Sequence, residues 1–195
     1  MSTTSTPSAH IEVPQGFPGI TGPMRAYPET AQALNELAEV LLVHETPSLS
    51  KADREIIASY VSYLNHCVFC SESHGAVADV HSKSSGLARK VWESPDLAPI
   101  SDRLRALLRI AEKVQKATFP GRENVSKKDV QDARRIGAND RDIHDTVLIA
   151  AAFCMFNRYV DGLATLAPPR GDAGYQKMGQ MLATVGYRNS MKAIG

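Results

Sequence analysis

From Glu29 onward the apolar residues of this chain recur at the three- and four-residue intervals of a helix, and no stretch alternates as a strand would. The fold class expected is therefore all-α. Leu34, Leu37, Ala38, Leu41 and Leu42 share one face of a first helix, with Pro47 placed to stop it. Ser50 opens a second helix, and Asp53 three residues on completes a capping box. Ile56, Ile57, Tyr60, Val61 and Leu64 form its apolar face, and Asn65-His66 offers a place to break. Further helices are predicted over 67–80 and 85–92, and a long one carries Leu104, Leu107, Leu108, Ala111 and Val114. A short one is capped by Ser126 and ends at Gly137, followed by a core helix over 140–163. Pro168-Pro169 and Gly171 then break the chain before a last helix over 175–184. Residues 1–28, rich in Ser, Thr, Pro and Gly without apolar period, are expected to form an extended arm on a single helical domain spanning 29–195.

A chain of 195 residues suits one such domain with one core. Its 22 Lys and Arg balance 21 Asp and Glu, which gives no electrostatic case for nucleic acid or an anionic membrane. The longest apolar run, 147–156, is about half of what a spanning helix needs. The N-terminus lacks the basic and apolar regions of a secretion signal. Three cysteines are too few for a disulfide scaffold, so a cytoplasmic location is expected.

One internal echo occurs. At a constant offset, Asp53-Arg54-Glu55-Ile56 pairs with Asp140-Arg141-Asp142-Ile143, Cys67 with Cys154, Phe69 with Phe156 and Gly75 with Gly162. In that register Asn157 stands for Cys70 and Asp161 for His74. This is either chance resemblance between amphipathic helices or a duplicated helical unit, giving approximate internal symmetry, whose second copy has lost its chemistry.

The chemistry-bearing residues are Cys67, Cys70 and His74, three and four positions apart, hence on one helical stripe. A Cys-x-x-Cys pair at a helix start gains thiolate stabilisation from the free N–H groups, and the two sulfurs can close a disulfide. An ordinary thiol of pKa ~8.5 needs about 2.7 kcal/mol to drop two units, more than the ~0.3–1 a helix terminus supplies. His74 is the candidate second helper. Glu55 lies about 18 Å away and about 120° off the stripe on one straight helix, but returns towards His74 if the chain turns at Asn65-His66. An acidic residue in a first helical turn is also favoured by the dipole alone. Two plain readings stand beside the redox one: buried helix cysteines, or a zinc site from Cys67, Cys70, His74 and His66 that lacks a second ligand pair. A c-type haem is excluded because Ser71 follows the second cysteine. Cys154, in an apolar run, reads as a small buried hydrophobe, and Trp92 and Phe153 as core. His144 reads as structural or interfacial; Arg158 and Asp161 suggest a salt-bridged helix end.

Glu55, Cys67-Val68-Phe69-Cys70 and His74-Gly75-Ala76, with Pro28-Glu29-Thr30 and the run from Ile143-His144-Asp145 to Phe156-Asn157-Arg158, resemble the alkylhydroperoxidase D-like branch of the carboxymuconolactone decarboxylase superfamily, in particular its peroxidase-related subgroup. That resemblance implies a thiol peroxidase of the family's helical fold, with no bound cofactor or metal, acting on hydrogen peroxide or organic hydroperoxides. In the family the second cysteine, here Cys70, becomes a sulfenic acid and Cys67 resolves it into a Cys67–Cys70 disulfide. Glu55 and His74 form the proton relay, so the implied catalytic set is Cys70, Cys67, His74 and Glu55. The implied partners are an external dithiol, such as a lipoyl domain, and further copies of the chain in a trimer or hexamer. One departure is Phe69, where the most active relatives often carry His. The alternatives are a lyase acting on a cyclic lactone and a non-enzymatic zinc-binding or redox-switch module.

Overall fold

In the computed structural model, residues 9–44, 46, 48–117 and 124–193 are described; Pro47, the expected stop of the first helix, lies outside them. Ten α-helices and no strand occur among these residues. They are α1 (Thr21–Ala26), α2 (Pro28–Ala38, continued by a π-helical turn Glu39–Val43), α3 (Lys51–Leu64), α4 (Val68–Ser82), α5 (Leu87–Glu93), α6 (Asp102–Lys116), α7 (Lys127–Arg135), α8 (Asp140–Gly162), α9 (Ala173–Val185) and α10 (Ser190–Ala193). The expected all-α architecture is the one found.

Helix α3 is the central element and packs on α4, α5, α6 and α8. Ser50 caps it as expected, its hydroxyl accepting from the Asp53 N–H while Asp53 accepts from the Ser50 N–H. Every residue from Arg54 to Ser62 is buried, so the helix is enclosed on most sides rather than amphipathic. It ends at Asn65, and His66 takes the left-handed conformation at φ 61°. Asn and His tolerate that region better than most side chains. The Cys67 N–H then bonds the Ser62 carbonyl at 3.0 Å, and α4 runs back antiparallel to α3.

The segment expected as an extended arm differs over residues 21–26, which coil into α1 and bury Thr21, Gly22, Pro23 and Met24. A turn this short is made by burial against the domain and carries no periodic signal. Helix α8 is also informative. It is capped by Asn139 and Asp142, yet runs unbroken through Ala152-Phe153, the positions that echo Asn65-His66. Ala and Phe have no leaning towards a left-handed turn, so the echoed segment does not reproduce the hairpin.

Two buried ionic groups fasten the bundle. Arg54, 1% exposed, donates to the Leu41 carbonyl at 2.7 Å, to Thr46 at 3.0 Å and to the Asp145 carboxylate of α8 at 2.6 Å. Glu72 on α4 receives Arg89, Arg170 and the Gly171 N–H, which seats the start of α9 on α4.

Candidate active site

The hairpin decides between the two geometries open for Glu55. Its carboxylate, 1% exposed, accepts from His74 Nδ1 at 2.8 Å. The other oxygen accepts from the Tyr187 hydroxyl at 2.7 Å, and that hydroxyl oxygen lies 3.0 Å from His74 Nδ1. A hydroxyl has one proton, so Tyr187 donates to Glu55 and the Nδ1–H points to both oxygens. The neutral imidazole therefore carries its proton on Nδ1 and leaves Nε2 as the basic nitrogen. Nε2 has no protein partner among the described residues. The ring is held by Phe153 edge-on at 4.6 Å and by Tyr187 stacked at 5.6 Å.

Cys67 is the N-cap residue of α4, and Cys70 lies in its first turn. Both are free thiols; Cys67 is fully buried and Cys70 is 3% exposed. Cys70 lines a cavity of about 70 Å³ together with His74, Tyr187 and Ser73, whereas Cys67 does not reach it. The remaining wall is mostly apolar, including Ile20, Met24, Phe156 and Met178. Hydrogen bonding to Cys67, then burial, push the Cys70 thiol well above its ordinary value, with a hydrogen bond from Asn157 acting against them. Cys70 is therefore protonated at neutral pH when both cysteines are thiols, and a nucleophilic role for it would require a base to take the proton. Burial and the Glu55 carboxylate likewise raise the Tyr187 phenol, which stays a neutral donor.

Tyr187 is the site residue that the sequence does not betray, since it lies in the link between α9 and α10 and belongs to no motif. Its position is set by Glu39, whose carboxylate accepts from the Tyr187 N–H at 2.8 Å and the Arg188 N–H at 3.1 Å. Asn157 and Asp161, at the positions of the echo that lack chemistry, nonetheless approach Cys70 and Cys67 respectively. Arg158 does not pair with Asp161 as expected but donates to the Cys154 carbonyl at 2.8 Å. Cys154 itself is half-buried rather than enclosed, and its sulfur accepts from Asn65 at 3.6 Å. Phe153 is core, as expected, and also a wall of the cavity; Trp92 is core and donates to Ser59 at 2.7 Å. His144 is exposed beside Asp145. His66 is exposed at the helix break and away from the cavity. Among the described residues no group of three or more His, Cys, Asp or Glu side chains could hold a metal ion.

Phe69 is explained by the N-terminal segment. Its buried ring packs beside Tyr175, with centroids 6.1 Å apart, and directly under Gly19. A Cβ on Gly19 would stand 2.1 Å from the ring, and its φ of 57° is one side chains avoid. Gly19→Ala is expected to cost about 1–3 kcal/mol and to lift the segment from the cavity. A lower Tm with faster alkylation of Cys70 by iodoacetamide would be the readout; unchanged values would mean that this segment does not cover the thiol.

The carboxymuconolactone decarboxylase family model matches residues 28–113, from α2 into α6, and so includes Glu55, both cysteines and His74. A peroxidase-related protein from Ralstonia eutropha JMP134, its structure described as an alkylhydroperoxidase AhpD core, superposes with a TM-score of 0.75 at 25% identity. The alignment covers 90% of this chain and 98% of that one. A peroxidase-related protein from Silicibacter sp. TM1040 superposes at 0.72 with 26% identity and the same coverage. No curated protein matches the chain. Over residues 28–113 in sequence and over 90% of its length in fold, the chain is thus similar to proteins of the alkylhydroperoxidase D-like and carboxymuconolactone decarboxylase superfamily.

Proposed function

We propose that the protein is a thiol-dependent peroxidase that reduces hydrogen peroxide or organic hydroperoxides through Cys70 and Cys67. The observation that carries this reading is the cavity that exposes Cys70 but not Cys67 beside a histidine whose second nitrogen is tied to a buried carboxylate. In the first step His74 Nε2 accepts the Cys70 proton as the sulfur attacks the terminal peroxide oxygen. The S–O bond forms, the O–O bond breaks, and the departing oxygen takes a proton to leave as alcohol or water. Cys70 is then a sulfenic acid. The Cys67 sulfur attacks it, releases water and closes the Cys67–Cys70 disulfide. An external dithiol, such as a lipoyl group, reduces that disulfide and is itself oxidised. No bound cofactor is needed for this cycle. The two relatives named above are described as peroxidase-related, which supports the same reading.

A cytoplasmic site of action suits this cycle, because the disulfide must be reduced again after each turnover. No helix among the described residues is long and apolar enough to cross a membrane. The exposed side chains of Leu148 and Met155 on α8 suit burial against a further copy of the chain. A lactone decarboxylase would not use the paired thiols at the cavity, and is the less favoured reading.

The test is peroxide consumption by the reduced protein with a dithiol reductant, and a mass measurement of the protein after one equivalent of peroxide. Turnover with a Cys67–Cys70 disulfide is the expected result. Unreacted thiols after exposure to several hydroperoxides would overturn the proposal.

A further inference from the structure

Buried serines in these helices satisfy their own hydroxyls, with one exception on the cavity wall. Ser62 donates to the Ala58 carbonyl at 2.9 Å, Ser71 to the Cys67 carbonyl at 2.9 Å, and Ser59 to the Ser71 carbonyl at 3.2 Å. Ser73, 2% exposed and on the same helix as Ser71, has a hydroxyl with no hydrogen-bond partner among the described residues. Such a group is costly to bury and is normally paired. It also lies three residues after Cys70 and next to His74, on the wall they share. The other hydroxyls of that wall are committed: Thr21 to Pro18, Ser190 to the Tyr187 carbonyl, and Tyr187 to Glu55.

We infer that Ser73 is a catalytic residue whose hydroxyl is kept free to donate to the hydroperoxide, at the oxygen that departs as the O–O bond breaks. This rests on the peroxidase reading and deepens it. When Cys70 sulfur bonds to the terminal oxygen, negative charge develops on the other oxygen of the peroxide. A positioned donor in a cavity of few polar groups stabilises that charge more in the transition state than in the bound substrate. The proton that completes the alcohol is the one His74 took from Cys70, so Ser73 donates a hydrogen bond and ends unchanged. The arrangement accounts for the orphan hydroxyl as a stability cost retained for function.

The experiment compares reduced wild type with Ser73→Ala and Ser73→Thr in three measurements: the rate of reaction with tert-butyl hydroperoxide, the rate of Cys70 alkylation by iodoacetamide, and Tm. Alkylation expels a halide and requires the thiolate but no donor to a departing oxygen. Ser73→Ala is expected to slow the hydroperoxide reaction by about 10- to 100-fold. Its alkylation rate should stay within about two-fold, and its Tm should equal or exceed that of wild type because an unpaired buried hydroxyl is gone. Ser73→Thr, which keeps the donor, should recover part of the rate. An unchanged hydroperoxide rate in Ser73→Ala, or equal loss in both reactions, would overturn the assignment while leaving the peroxidase reading intact. A lowered Tm would do the same, by showing the hydroxyl to be structural. A wild type inert to hydroperoxide but open to alkylation would overturn both.

Discussion

Serine in place of Cys70 is expected to abolish hydroperoxide consumption, whereas serine in place of Cys67 should leave a single turnover that stops at the sulfenic acid. The asymmetry follows from burial and not from spacing, which treats the two thiols alike. Cys70 faces the cavity, whereas Cys67 is enclosed behind it, within hydrogen-bonding reach of Cys70 and off the cavity wall. Hydrogen bonding to Cys67 and burial raise the Cys70 thiol, so little thiolate stands ready at neutral pH. The rate should therefore depend on His74 as base, and His74→Gln is expected to lose about 10²–10⁴-fold. In that variant the rate should climb with pH through the alkaline range, as hydroxide takes over the removal of a proton held above its ordinary pKa. Stopped-flow kinetics with a sulfenic acid trap would check both statements. A single turnover in the Cys70→Ser protein, with none in Cys67→Ser, would exchange the roles of the two thiols.

The largest effect on stability is expected from Asp145→Ala. Arg54 has almost no contact with solvent, and Asp145 is its carboxylate partner at 2.6 Å. Removing one member of a buried pair costs about 3–5 kcal/mol, because the remaining charge stays desolvated. Against a total stability of roughly 5–15 kcal/mol, that is enough to bring the unfolding transition close to working temperature. The pair needs no comparable loss if both charges go together: Arg54→Met with Asp145→Leu should recover most of the stability, as measured by chemical denaturation. The Asp145 carboxyl also makes stability depend on pH. Burial raises it, but hydrogen bonds from His144, Arg54 and Arg141 outweigh burial and leave it below its ordinary value. A depressed folded pKa gives stability that is complete above the unfolded value, near ~3.9, and is lost as pH falls through the folded one. Acid unfolding of wild type should thus have a component missing from the double variant, and identical acid profiles would refute it.

Much of the site is legible in the sequence. The stripe of Cys67, Cys70 and His74, the capped start at Ser50 and the weak point at Asn65-His66 follow from helical periodicity and local side-chain chemistry. These are short-range properties, carried by residues a few positions apart. The roles of Glu55, Phe69 and Arg54 were not legible to the same degree, because each depends on a partner brought near by the hairpin or by another helix. Residues 21–26 show the limit from the other side: α1 exists because it is buried, and nothing in its own sequence announces it.

The sequence alone determined the class of fold, the helix that carries the two thiols, and the helical stripe shared by Cys67, Cys70 and His74. Only the tertiary structure decided which thiol meets the cavity, which nitrogen of His74 is left basic, and that Tyr187 and Ser73 stand beside them. Helical spacing specifies a face, a matter of local geometry. What that face meets, and how much water remains there, is set by the packing of elements far apart in the chain, and it is this that puts one of two cysteines three residues apart on the cavity and encloses the other.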